Sequence, residues 1–345
     1  MGATIDDVAA RSGVSTATVS RVLSGSVPAR PETRERVLSA ARELDYRPSG
    51  IARALKRQET RTLGLVITDI TNPFYPQLVR AVESAAHARG YAILLANGGD
   101  DPARELEHLD LLVERRVDGI VIVSSRMTRR HAERLRRTSV PAVLVNDSVA
   151  GSDLPAVTTA HRRGASLATE HLIGLGHRRI AHIGAPADQA ASGQRRQGVR
   201  DALRAADLDE PLVAIGDGGV AGGATAAEAL IGSGTTAIVA YNDLTAIGAL
   251  RALRRAGIAV PDGISVVGFD DIDLAAWTDP PLTTIRQPTD ELGRWAVEHL
   301  ADVLAGNGGS LRTGPVLLEP ALIVRESTAA LGAWNLPHHA GGLMT

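Results

Sequence analysis

The chain has 345 residues, 44% of them hydrophobic, and its 37 basic against 39 acidic side chains leave a formal net charge of −2. There is no cysteine, which excludes disulfides and thiolate metal sites. No uninterrupted apolar run approaches membrane length, and the start MGATIDDVAA lacks the basic and apolar pattern of a secretion signal, so a soluble cytoplasmic protein, without membrane partners, is expected. The charge is uneven. Within residues 1–60, nine arginines and one lysine against four glutamates and three aspartates give +3, so the remainder carries −5. A positive end on a negative body favours phosphate contact at that end only.

The first elements are two short helices around a tight turn, in TIDDVAARSGVSTATVSRVL. Thr4 suits an N-cap, and Asp7 stands three residues on, where a capping box has Glu or Gln. Ile5, Val8 and Ala9 recur at i, i+3 and i+4 as one apolar face. Gly13 ends that helix, because a left-handed residue is wanted there. Ser15 caps the second helix, whose Val19, Val22 and Leu23 turn inward. Thr16, Ala17, Ser20 and Arg21 then share the outer face, where a DNA-reading helix presents its side chains. The same pattern also fits an ordinary helical hairpin with a polar face. Pro31 opens a third helix, with Val37, Leu38, Ala41 and Leu44 as its stripe. A basic stretch follows, YRPSGIARALKR, in which Ser49 can cap a helix that Gly50 makes weak in isolation. It reads as a segment that folds on a partner, or as a plain linker.

Residues 61 to about 328 alternate strands and helices. Leu63–Ile67, Ala92–Leu95 and Gly119–Val123 look like buried parallel strands, with helices at Gln77–Arg89 and Arg104–Arg116. After residue 160 come helix Arg163–Leu175, strand Arg179–Ile183, helix Arg195–Ala206, strand Ala237–Ala240, helix Leu244–Ala256 and strand Ser265–Gly268. This order predicts doubly wound parallel sheets, too many strands for one sheet and so two similar lobes. In such folds ligands gather at the carboxyl ends of strands. Asp69, Asn72 and Phe74 follow the first strand, Asn146 follows Ala142–Val145, Asn242-Asp243 follows Ala237–Ala240, and Asp270-Asp271 follows Ser265–Gly268. Carboxylates, amides and an arginine can each bond two hydroxyls of a sugar, with Phe74 as an apolar face. Strand ends are also where helix caps sit.

Several separated motifs, in order, resemble the LacI/GalR family of transcriptional repressors. They are TIDDVAARSGVSTATVSRVLSG, PETRERV, YRPSGIARALK, TLGLVITDITNPFY, HLIGLGHRRIAHIG, YNDLTAIGAL, SVVGFDD, PPLTTIRQP and VRES. The resemblance spans residues 4 to about 328. It implies an all-α helix-turn-helix headpiece (1–48), a hinge helix (49–60), and an α/β two-lobed effector domain like a periplasmic sugar-binding protein (61–328). The first lobe would take about 61–160 and 290–318, the second about 161–289 and 319–328, and 329–345 would be a loose tail. The implied partners are palindromic operator DNA, a small-molecule effector (a sugar is favoured) and a second copy in a homodimer. Thr16, Ala17 and Arg21 would touch bases, and Thr4, Ser15 and Ser20 would position phosphates. In the hinge, Ser49 caps, Ala52 and Arg53 lie along the minor groove, and Leu55 is the wedge at the central operator step. In the effector site, Arg195 takes the place of the gripping arginine. Asn242 and Asp270 match the pocket amide and acid, Gln287 matches a pocket-edge residue, and Asn146 stands where many relatives have Asp. Asp243 and Asp271 are assigned to capping or lobe packing.

The chain departs from the family pattern in several places. Gly218 and Gly219 lie where many relatives carry an aromatic platform, Ala160 and His161 replace an Asp-Asn pair, Val199 replaces an aromatic, and Ser24 stands where Asn is common. A purine or a phosphorylated corepressor therefore stays open beside a sugar inducer. A sugar-binding transport component would want a signal peptide and no headpiece. An enzyme is not expected: there is no phosphate loop, GxSxG elbow or HExxH, and no catalytic group, cofactor or metal site is assigned.

Overall fold

A computed structural model describes residues 3–24, 29–46, 59–123, 128–147, 153–187, 190–307 and 314–332. The chain divides into two units, Met1–Arg61 and Thr62–Thr345. The first holds α1 (Ile5–Ser12), α2 (Thr16–Ser24) and α3 (Pro31–Glu43). The capping box closes as its residues dictate: the Thr4 hydroxyl accepts from the Asp7 amide at 3.3 Å, and the Thr4 amide donates to the Asp7 carboxylate at 2.8 Å. Gly13 ends α1 at φ +68°, in the left-handed region. Val8, Ala9, Val19, Val22, Val37, Ala40 and Ala41 form the core of this unit. Leu38, expected in the stripe of α3, is instead 36% exposed. The buried stripe runs through 37, 40 and 41, and position 38 lies one residue, about 100°, around the helix from its centre.

The second unit contains two parallel sheets. The first has the order β11-β5-β4-β3-β1-β2, from β1 (Thr62–Ile67), β2 (Ala92–Asn97), β3 (Gly119–Val123), β4 (Ala142–Val145), β5 (Ala156–Thr159) and β11 (Val316–Leu318). The second has the order β7-β6-β8-β9, from β6 (Ile180–Gly184), β7 (Leu212–Ile215), β8 (Ala237–Ala240) and β9 (Ser265–Val267). An antiparallel ribbon, β10 (Thr284–Arg286) with β12 (Ala321–Ile323), adjoins β9 through bridges at Val267–Thr283 and Asp270–Arg286. The central strands β3 and β4 are buried throughout, as helices on both faces require. Ala92–Leu95, read as buried, is instead an edge strand with Leu94 and Leu95 about two-fifths exposed. A continuous apolar run does not disclose whether a neighbouring strand covers it.

The helices are α4 (Phe74–Ala88), α5 (Pro102–Glu114), α6 (Arg129–Arg136), α7 (His161–Gly174), α8 (Ala190–Ala205), α9 (Val220–Glu228), α10 (Asp243–Arg255) and α11 (Thr289–Leu304). All five helices expected in this unit start earlier than read, two of them by three residues or more. The Asn72 side chain accepts from the Phe74 amide at 3.1 Å and so opens α4 at Phe74 rather than at Gln77. α8 opens at Ala190, where the sequence has no apolar period to announce it. The chain passes between the sheets after β5, after β10 and after β11, and α11 packs on α4 beside the first sheet. Where α9 crosses α10, a Cβ at Gly248 would lie 2.1 Å from the Val220 carbonyl oxygen and 2.7 Å from the Ala224 nitrogen, so only glycine fits. Among the described residues, no helix is long and apolar enough to cross a membrane.

Candidate functional site

On the first unit, Thr16, Ala17 and Arg21 are exposed on α2 and Ser20 is half-buried. The Ser15 hydroxyl accepts from the Thr18 amide at 3.3 Å, which caps α2. Arg21 folds back along its helix, its Nε donating to the Ala17 carbonyl at 3.3 Å. Thr4 is exposed and engaged in the capping box. Helix N-termini with free amides beside small side chains are ready to meet phosphate. Ser49, Ala52, Arg53 and Leu55 lie outside the described residues.

On the second unit, a cavity of about 480 Å³ opens at the carboxyl ends of the strands of both sheets. Asp69, Asn72, Phe74, Asn146, Arg195, Asn242, Asp270 and Gln287 all line it. Its floor is a chain of hydrogen bonds that crosses from one sheet to the other. Asn146, at the end of β4, donates through Nδ2 to Gln287 Oε1 at 2.8 Å, and Thr159 Oγ1 donates to the same oxygen at 2.7 Å. Gln287 Nε2 in turn donates to Asp270 Oδ1 at 2.7 Å. Arg195 reaches the same Oδ1 at 3.4 Å through Nη2, and its Nη1 donates to the Tyr241 carbonyl.

The Arg195 guanidinium lies between two rings, its Cζ 3.7 Å from the centroid of Phe269 and 4.7 Å from that of Tyr241. Aromatic faces hold a cation electrostatically and fix its plane. Arg195 and Asp270 are each only 5% exposed. Burial pushes the Asp270 carboxyl up to about 6, against the opposing pull of Arg195 and Gln287. Asp270 also has φ +119°, a strained conformation for a side-chain-bearing residue. Such strain costs of order 1–3 kcal/mol and concentrates at ligand clamps. Phe269 and Tyr241 each directly precede a predicted site residue, yet their positions at strand ends read as ordinary core.

Other lining residues are occupied locally. Asp69 accepts from the Thr71 amide and hydroxyl at 2.9 and 2.7 Å. Asn242 caps α10, accepting from the Thr245 amide at 2.8 Å while donating to the Gly218 carbonyl at 2.9 Å. Asp243, expected as a cap or packing residue, is not the cap. It is buried at the first position of α10 and accepts from the Ile272 amide and the Thr284 hydroxyl. Asp271 pairs with Arg286 and Arg325. Gly218 and Gly219 also line the cavity. Among the described residues, no cluster of histidines and carboxylates has the form of a metal site.

Comparison with known proteins agrees with this arrangement of modules. Residues 4–49 match the family described as bacterial regulatory proteins, lacI family, and residues 60–314 match periplasmic binding proteins and sugar binding domain of LacI family. The HTH-type transcriptional repressor CytR of Escherichia coli K12 is 36% identical over 333 residues, covering 95% of this chain and 97% of that relative. The ribose operon repressor of the same organism is 39% identical over 303 residues, covering 86% and 92%. Among solved structures, the lac repressor dimer bound to operator and the anti-inducer ONPF superposes with a TM-score of 0.87 at 29% identity, covering 96% of this chain and all of that one. A complex of the transcriptional regulator CelR with cellobiose matches with a TM-score of 0.71 at 36% identity, covering 94% and 99%. With both modules matched in order and relatives covered almost end to end, the chain belongs to the LacI family of bacterial regulatory proteins.

Proposed function

We propose that the protein is a sequence-specific transcriptional repressor whose hold on operator DNA is set by a small molecule, a sugar in the first instance, bound in the cavity between the two sheets. The observation that carries this is the bridged floor Asn146–Gln287–Asp270–Arg195, which ties groups from both lobes to one ligand-sized space. A ligand there bonds both lobes at once and so favours one arrangement of them over another. Thr16, Ala17 and Arg21 read bases, while Thr4, Ser15 and Ser20 position phosphates. Ser49, Ala52, Arg53 and Leu55 form the hinge that couples the two modules. The active species is a homodimer, matching a two-fold operator; β7 exposes Leu212, Val213 and Ile215, apolar surface of a kind that a second copy covers. Coupling of this type is commonly about 1–3 kcal/mol and acts equally in both directions. Effector binding releases the operator.

The test is selection of binding sites from random DNA with the full-length protein at fixed salt, because the phosphate contribution depends on salt. The expected result is an enriched near-palindrome with a central pyrimidine–purine step. No enrichment by folded protein, with or without a panel of sugars and purines, refutes the DNA reading. In the same assay Arg195→Ala should still bind operator but no longer respond to effector; a surviving response places the effector elsewhere.

A further inference from the structure

His161 opens α7 and forms part of the cavity wall, 2% exposed. Its Nδ1 lies 3.5 Å from Arg195 Nη2. A guanidinium is a donor only, so Nδ1 is the acceptor and the ring proton sits on Nε2. An imidazolium would turn a second N–H toward the guanidinium, which the donor chemistry forbids. Burial, and then the Arg195 charge, hold the ring neutral, well below the usual histidine range. Nε2 is buried and has no hydrogen-bond partner, and the same is true of Arg195 Nε. Two buried donors without acceptors are costly unless a ligand supplies them.

The charge of the wall adds a second constraint. Among the described residues, Asp69, Asp100, Asp217 and Asp270 line the cavity against the single cation Arg195. Arg195 is already paired with Asp270 and held between Phe269 and Tyr241. With His161 neutral, no further side chain among the described lining residues offsets an added phosphate or carboxylate, which would face like charges at short range. A hydroxyl meets both demands, because its oxygen accepts from a buried N–H while its hydrogen goes to a carboxylate.

We infer that His161 is a specificity-determining residue of this cavity: it donates through Nε2 to an acceptor atom of the effector and, by staying neutral, selects uncharged ligands over their phosphorylated or acidic counterparts. The inference rests on the cavity being the effector site. The test is calorimetric titration of the full-length protein with matched pairs: D-ribose and ribose 5-phosphate, D-glucose and glucose 6-phosphate, uridine and uridine 5′-monophosphate, cellobiose and cellobionic acid. Any pair that binds should favour its uncharged member at least tenfold in Kd. His161→Phe, which keeps a ring beside Phe269 but has no donor, should weaken that ligand at least tenfold, and His161→Gln, which restores an N–H, should recover part of the loss. Circular dichroism melting without ligand checks that each variant folds. A charged member binding as tightly, wild-type affinity in His161→Phe or in both variants, or no binding by any uncharged member overturns the inference. Arg195→Ala separates the two readings. If it leaves the Kd unchanged, the cavity is not the effector site; if it abolishes binding while His161→Phe does not, only the role of His161 falls.

Discussion

The buried Asp270 should contribute a loss of stability as pH rises, and Asp270→Asn should remove that contribution. Burial raises the carboxyl of the folded chain from the usual 3.8 to about 6, because a 5% exposed carboxylate loses more hydration than Arg195, 3.4 Å away, and Gln287, 2.7 Å away, give back. From about pH 4 to about pH 6 the folded state therefore keeps a proton that the unfolded state releases. Stability falls through that window and stays lowered above it. The difference between 3.8 and about 6 corresponds to about 3 kcal/mol in full. About half of it, roughly 1–2 kcal/mol, falls between pH 5 and pH 7.5.

Urea unfolding followed by circular dichroism, on wild type and Asp270→Asn at those two pH values, reads the difference directly. Asparagine keeps the shape and one acceptor oxygen, and any cost of the weaker bond to Arg195 that does not vary with pH cancels between the two conditions. Asp243, raised first by burial and then by the Asp270 charge, remains in the variant with a smaller upward shift, so the comparison reads the two buried carboxyls together. Wild type should lose about 1–2 kcal/mol relative to the variant on going from pH 5 to pH 7.5. Curves that run parallel within about 0.5 kcal/mol would show that Arg195 fully repays the desolvation, and the reasoning would be wrong.

Three further outcomes follow from the packing, the caps and the hinge. Gly248→Ala should destabilise the second unit by about 1–3 kcal/mol or more, since the new Cβ meets backbone of α9 that cannot swing aside; an unchanged urea midpoint would mean that the helices part freely. Thr4→Ala should cost the headpiece about 1 kcal/mol by opening the capping box, read as faster amide exchange in α1; unchanged exchange would show that Asp7 alone holds that end. Leu55→Ala should weaken operator binding while leaving effector affinity intact, measured by fluorescence anisotropy and calorimetry, and equal operator affinity would refute the wedge.

What the sequence made legible depended on how local the cause was. The cap at Thr4, the left-handed Gly13 and the apolar face of α1 are decided within a few residues, and all three form as read. The strand-end rule drew attention to Asp69, Asn146, Asn242 and Asp270 because parallel strands necessarily bring their carboxyl ends together. Which of those groups is free to meet a ligand was not legible. Asn242 already spends one acceptor and one donor position on the cap of α10 and the Gly218 carbonyl, and Asp69 is closed in its own turn. Edge position was hidden for the same reason: the Leu94-Leu95 run looks like Val121-Ile122 until the neighbours of each strand are known.

The least legible part is the part that makes the site special. Phe269 and Tyr241 are apolar residues at the ends of apolar strands, and only the arrival of Arg195 from a helix 46 positions before Tyr241 makes them the two faces of a cation clamp. His161 is likewise only a departure from a family pattern until its Nδ1 is found facing a guanidinium. Both features come from contacts across sequence separations that no local period records. Both also bear on the same quantity, the charge that the cavity floor can tolerate. Arg195 is held flat and paired with Asp270, so two features of the described floor are left to vary with the ligand: the protonation of Asp270, raised to about 6, and the hydrogen-bond partner at His161 Nε2. The bridge through Gln287 to Asn146 joins Asp270 to the first sheet. An effector that accepts from His161 and donates to Asp270 therefore acts on the link between the lobes as well as on its own binding, and differential contact of that kind is what shifts a two-state equilibrium.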